Sequence, residues 1–182
     1  MKRKLLVTLM ISLLLAGCSR QDTEKFLARR EELRSADLSF DAAVRCITER
    51  GETAYSAACS MNGEKTRFTI LSPASEAGIT ISCETDGAEL AYEGTVLVLP
   101  RSAVTGDDPC AAIPKIAEAL YLGRFVSLGP EGDETAALFD LGNGRSVRLR
   151  FNEAWVPTCA EYSAEGRVIA YCTITNWCMG EK

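Results

Sequence analysis

The chain has 182 residues, with 20 basic and 25 acidic side chains, eight cysteines and no histidine. A chain that acidic is a poor candidate for nucleic acid, whose phosphates need a basic surface. The absence of histidine excludes Ser-His-Asp and Cys-His catalysis, imidazole-ligated zinc and an ordinary histidine pH switch.

Lys2, Arg3 and Lys4 precede an uncharged stretch from Leu5 to Ala16, the layout of a secretory signal. Twelve such residues span about 18 Å as a helix, short of the roughly 30 Å hydrocarbon core. The stretch closes on Leu15-Ala16-Gly17-Cys18. This segment resembles the lipobox of bacterial lipoproteins, in which the cysteine is diacylglycerylated, the peptide is cut before it, and the new amino terminus can be acylated, commonly with palmitate. Small Ala16 and Gly17 admit a peptidase, and a cysteine thiolate is a good nucleophile for lipid transfer. The expectation is a signal peptide over residues 1–17 and a single domain over 18–182, tethered through Cys18 to the extracytoplasmic face of a membrane in a bacterial envelope. Two or three acyl chains hold where one would not. Removing Lys2, Arg3 and Lys4 lowers the basic count from 20 to 17 against 25 acids.

Residues 22–35 read as a short helix capped by Asp22 or Thr23, with Phe26, Leu27 and Leu33 as its apolar stripe. From Leu38 the period becomes two: Leu38, Phe40, Ala42, Val44 and Cys46 alternate with polar or small residues, as in a half-buried strand. Tyr55, Ala57, Cys59 and Met61 follow, then the Asn62-Gly63 turn signal, Phe68 and Ile70. Ile79, Ile81 and Cys83 alternate beyond a Pro-containing loop, and Leu90 and Tyr92 return after a turn. The segment "TVLVLP" at 95–100 is apolar on both sides and is expected to be a covered strand. Asp108-Pro109 suits a helix start, with Ile113, Ile116, Ala117 and Leu120 at helical spacing, Pro114 as an alternative start and Gly123 as the stop. Two closing hairpins follow, with Val147, Leu149 and Phe151 set opposite Ser146, Arg148 and Arg150. The expected fold class is α+β, a mostly antiparallel sheet covered by a few helices.

Beyond Cys18 there are seven cysteines, an odd number, and none forms C-x-x-C. Cys46/Cys59 and Cys159/Cys172 share a C-x₁₂-C spacing across expected hairpins, which admits cross-strand disulfides in an exported protein. The favoured reading is buried free thiols, with Cys46, Cys59 and Cys83 on the inner face beside Phe40 and Ile81. No nucleophile motif, P-loop or dinucleotide fingerprint occurs, and Asp107-Asp108 and Asp133-Glu134 read as a helix cap and an exposed loop. No enzyme activity, metal or cofactor is expected.

The order of helix, long antiparallel run, inserted helix and two hairpins is similar to that of the Lol-type lipoprotein carriers and receptors. The passage "RFTILSP" followed by "ITISCETDGAELAYEGTVLVL" resembles that family's strand–Pro–strand–turn–aromatic passage. The resemblance implies a curved half-barrel lidded by helices, whose apolar concavity accepts acyl chains of lipids or lipoproteins. Beside it stands the pattern itself: an inner side carrying Phe40, Val44, Tyr55, Phe68, Ile70, Ile81, Tyr92, Leu149 and Phe151 must be buried, either as closed core or around a hydrophobic ligand. The functional expectations are a membrane-anchored binder of acyl chains or, alternatively, a ligand-free anchored interaction module in envelope assembly or sensing.

Overall fold

The computed structural model describes residues 21–48, 51–63, 65–84, 87–100 and 111–180. The lipobox segment 15–18, Asp107 to Pro109 and Cys110 lie outside the described residues.

Eleven described strands form one antiparallel sheet. They are β1 (Asp37–Thr48), β2 (Gly51–Asn62), β3 (Lys65–Ser72), β4 (Thr80–Glu84), β5 (Gly87–Tyr92), β6 (Thr95–Pro100), β7 (Arg124–Glu131), β8 (Glu134–Gly142), β9 (Arg145–Phe151), β10 (Pro157–Ala164) and β11 (Arg167–Gly180). Among the described residues two helices accompany them, α1 (residues 21–35) and α2 (Ala112–Tyr121). The architecture is therefore predominantly β, more so than the α+β expectation. The strand order is β6-β5-β4-β3-β2-β1-β11-β10-β9-β8-β7. Two meanders thus meet where the first strand pairs with the last, Val44 opposite Cys172. Among the described residues β6 and β7 remain unpaired edges, so the sheet is open.

Short turns make this topology possible. Glu93-Gly94, Asn143-Gly144 and Glu165-Gly166 each hold both central residues at positive φ. That is the turn whose twist matches paired strands.

The sheet must curl. Helix α2 touches β3 on one side and β8, β9, β10 and β11 on the other. Six strand spacings separate β3 from β8 in the sheet order. On a flat sheet that is about 29 Å, and a helix is only about 10–12 Å across. One face therefore wraps around α2, giving a half-barrel.

Helix α1 is already under way at Gln21, so Asp22 and Thr23 lie within it and are not its caps. Its Phe26 is fully buried and meets Phe125, Phe139, Phe151 and Trp155 with ring centroids 5.4–6.1 Å away. The Arg30 guanidinium donates to the carbonyls of Ala119 (3.1 Å), Leu120 (2.9 Å) and Gly123 (2.6 Å), at the end of α2. It thereby supplies the orphan carbonyls with a cation at the negative end of the helix dipole. In α2, Pro114 is the third residue, where its missing N–H has no intrahelical partner to lose. Gly123, whose N–H donates to the Glu118 carbonyl at 2.8 Å, follows the helix end, and only glycine fits there because a Cβ would lie 2.7 Å from the Ala119 carbonyl oxygen. Among the described residues no helix is long and apolar enough to cross a membrane.

Candidate hydrophobic binding face

Strand alternation sets every second side chain of β1 to β5 and β8 to β11 on the inner face. Eight of the nine inner-face residues read from the pattern are buried there: Phe40, Val44, Tyr55, Phe68, Ile70, Ile81, Leu149 and Phe151, none more than 9% exposed. The ninth, Tyr92, shares the face but stands at the rim of β5, 39% exposed. Under the helices the described side chains are tightly buried. Phe26, Phe139, Val147, Leu149, Phe151 and Ile113 are all fully buried.

Cover fails toward one end of the sheet. Ile81, Cys83 and Ala88 are buried, and Leu90, in register with Ile81, is only half-buried. On β6 the residues in register are Leu97, opposite Leu90, and Leu99, opposite Ala88. Leu99 is half-buried, whereas Leu97 is 54% exposed. The inner face is thus buried core from β1 through β4 and a partly uncovered apolar shelf at Leu90, Tyr92, Leu97 and Leu99, with Ala88 still buried. The expectation that "TVLVLP" is covered is overturned: Val96, Leu97 and Val98 are 58, 54 and 71% exposed. Its doubly apolar pattern was the available signal, but pattern alone cannot distinguish a buried strand from an exposed edge.

A second concavity lies on the opposite side. A groove of about 520 Å³ follows the outward row Cys178, Ser39, Ser60, Arg67 and Ser82 across five strands. Its neighbours Leu38, Met61 and Thr66 are at most 2% exposed. It is a surface trough of mixed lining, with Asp37, Lys65, Arg67 and Glu84 beside the serines.

The cysteines are unbridged in all six described positions. Cys46 sits opposite Thr53 and Cys59 opposite Phe40, six residues apart along the strand, so their disulfide is geometrically excluded. Cys172, opposite Ala160, faces inward, whereas Cys159, one residue away from that position, faces outward. Sequence spacing suggested hairpin partners, but the two-residue period put this second pair on opposite faces. Cys46, Cys59 and Cys83 lie on the inner face with Phe40 and Ile81, at most 9% exposed. Burial pushes the Cys59 thiol up to about 12, with Asp41 adding to it, and the Cys83 thiol up to about 11. Outside, the Arg150 Nη2 lies 3.2 Å from the Cys159 sulfur and 3.4 Å from the Glu161 carboxylate. Burial raises the Cys159 pKa despite that guanidinium, with Glu161 and Glu134 acting in the same direction as burial. For Cys59, Cys83 and Cys159 the shift runs opposite to that of an activated nucleophile. Glu134 opens β8, where its carboxylate accepts from Thr158 Oγ1 at 2.6 Å, so it is no free loop acid. Among the described residues no group of three or more potential ligands could hold a metal.

With that geometry in place, the chain can be compared with solved structures. A LolA superfamily protein of Nitrosomonas europaea superposes with a TM-score of 0.50 at 15% identity, covering 87% of this chain and 94% of that one. A conserved protein of Thermus thermophilus gives a TM-score of 0.51 at 14% identity, covering 88% and 89%. The fold is LolA-like. No protein-family model and no curated protein matches the chain. The Lol-type resemblance of the sequence is thus present in the structure at the level of fold, and the uncovered shelf belongs to the inner face of a LolA-like half-barrel.

Proposed function

We propose that this chain is a lipid-anchored envelope lipoprotein, without enzymatic activity, that binds acyl chains of lipids or lipoproteins on its inner face. The observation that carries the reading is the break in cover at β5 and β6. Leu97 and Tyr92 remain 54 and 39% exposed while Phe40, Val44, Phe68, Ile70 and Ile81 on the same face are buried. Leaving a contiguous apolar surface open is unfavourable for a free domain, and such surfaces mark ligand or partner contacts. A fatty-acyl chain laid across Leu90, Leu97, Leu99 and Tyr92 would remove it from water at about 25 cal/mol per Å².

Anchoring rests on the lipobox at Leu15 to Cys18. Helix α1 is under way three residues after Cys18, so an anchored domain would be held within about 10 Å of the bilayer. That distance suits exchange of acyl chains with a membrane. Cys18→Ser is expected to abolish lipid labelling and to leave unprocessed precursor. Unchanged processing and membrane fractionation would remove the anchor from the account.

The binding reading is tested by titrating the protein with a fluorescent fatty-acyl probe. Saturable uptake is expected, weakened at least tenfold by Leu97→Asp on the inner face and unaffected by Val98→Lys on the outer face. The alternative, a ligand-free interaction module, is favoured by the aromatic packing around Phe26 beneath α1. Absence of uptake by folded protein would select it.

A further inference from the structure

Edge strands are normally guarded against pairing with other chains. The edge at β7 is guarded: a bulge falls between Phe125 and Ser127, Pro130 lacks a donor, and Arg124 and Glu131 close the two ends with charge. The edge at β6 has none of these devices. From Thr95 to Leu99 it is uncharged, regularly paired to β5 and free of bulges, with proline only at its last position. Both faces are apolar, Val96 and Val98 outward and Leu97 and Leu99 inward. We propose that β6 is a dimerisation edge, pairing antiparallel with β6 of a second copy about a two-fold axis through Leu97.

The occupant follows from charge and register. The chain carries a net charge of −5, so two copies repel over most of their surfaces. A neutral strand is where they can approach. Like faces match when Leu97 opposes Leu97, Val96 opposes Val98 and Thr95 opposes Leu99, because residue parity is then conserved across the axis. The guarded β7 edge makes head-to-tail stacking of β6 on β7 unfavourable, so the contact closes as an isologous dimer and does not propagate. A six-residue strand gives a contact about 20 Å long, smaller than the roughly 800 Å² per partner of a standard stable interface. The dimer is therefore weak and reversible. This inference stands on the edge alone and does not depend on acyl binding.

The test is oxidative cross-linking of the full chain in detergent, read on non-reducing gels against the unsubstituted protein. Leu97→Cys places two thiols directly opposite each other and is expected to give a disulfide-linked dimer. Thr95→Cys puts its two copies about 14 Å apart in this register and is expected to cross-link at least tenfold less. Adding Val98→Lys to Leu97→Cys sets two lysines beside the axis and is expected to lower the dimer yield at least tenfold. Val98 is 71% exposed, so that variant keeps the fold, checked by circular dichroism. Equal cross-linking at 95 and 97, insensitivity to Val98→Lys, a higher-order ladder, or a Leu97→Cys protein that stays monomeric would each overturn the proposal. So would its capture of a different protein.

Discussion

Cys59, Cys83 and Cys172 are thiols whose burial holds their protons on well above the ordinary range. The sign of the consequence is fixed. Below pH 9.0 both folded and unfolded thiols are protonated, and the raised folded pKa has no effect on the pH dependence. Above it the unfolded chain sheds protons that the native chain keeps, so stability falls until the folded pKa values near 11 and 12 are reached. Each thiol contributes a slope of about 1.4 kcal/mol per pH unit. Urea midpoints are expected to drop steeply between about pH 9.5 and 11, and Cys59→Ala should make that slope shallower. An unchanged slope would mean Cys59 is not protected. Arg30 gives a second residue-scale expectation. Its planar fork reaches three carbonyls, which an ammonium cannot match from one point. Arg30→Lys keeps the charge at the end of α2 yet should lose about 1.5–3 kcal/mol by denaturant unfolding. Full retention would assign the effect to charge alone.

Among the elements, α1 fastens one half of the sheet. Phe26 is fully buried among four aromatic rings drawn from β7, β8, β9 and the loop after it. Phe26→Ala should cost about 3–5 kcal/mol. It should also speed amide exchange in β7 to β9 before it does so in β2 to β4. Uniform exchange would show that α1 is not a separate fastening. The strands themselves were legible in the sequence, because Leu38 to Cys46 or Val147 to Phe151 alternate cleanly and Asn-Gly and Glu-Gly turns punctuate them. What was not legible was which apolar strands are covered. "TVLVLP" reads as buried on both faces, yet its position at the end of the sheet order leaves it bare. Cysteine spacing misled for a related reason: Cys46 and Cys59 are equidistant from no common turn, so register separates them. The Arg30 contacts were invisible, since they join residues about ninety positions apart.

For the whole molecule, two meanders joined through β1 and β11 make a curved sheet whose concavity is only partly filled. Helix α2 and Phe26 close the centre and one flank, and the β5–β6 flank stays open. An acyl-chain binder uses that flank from the inside, while a second copy would use its edge. The two uses are separable by residue: Leu97→Asp should impair both, and Val98→Lys only the second. Native mass spectrometry of the protein purified from membranes tests the central claim most directly. Non-covalent mass increments of acyl-chain size are expected on the wild-type protein and should be lost in Leu97→Asp. A folded wild-type protein carrying no such increment, and taking none up from added fatty acid, would contradict the account.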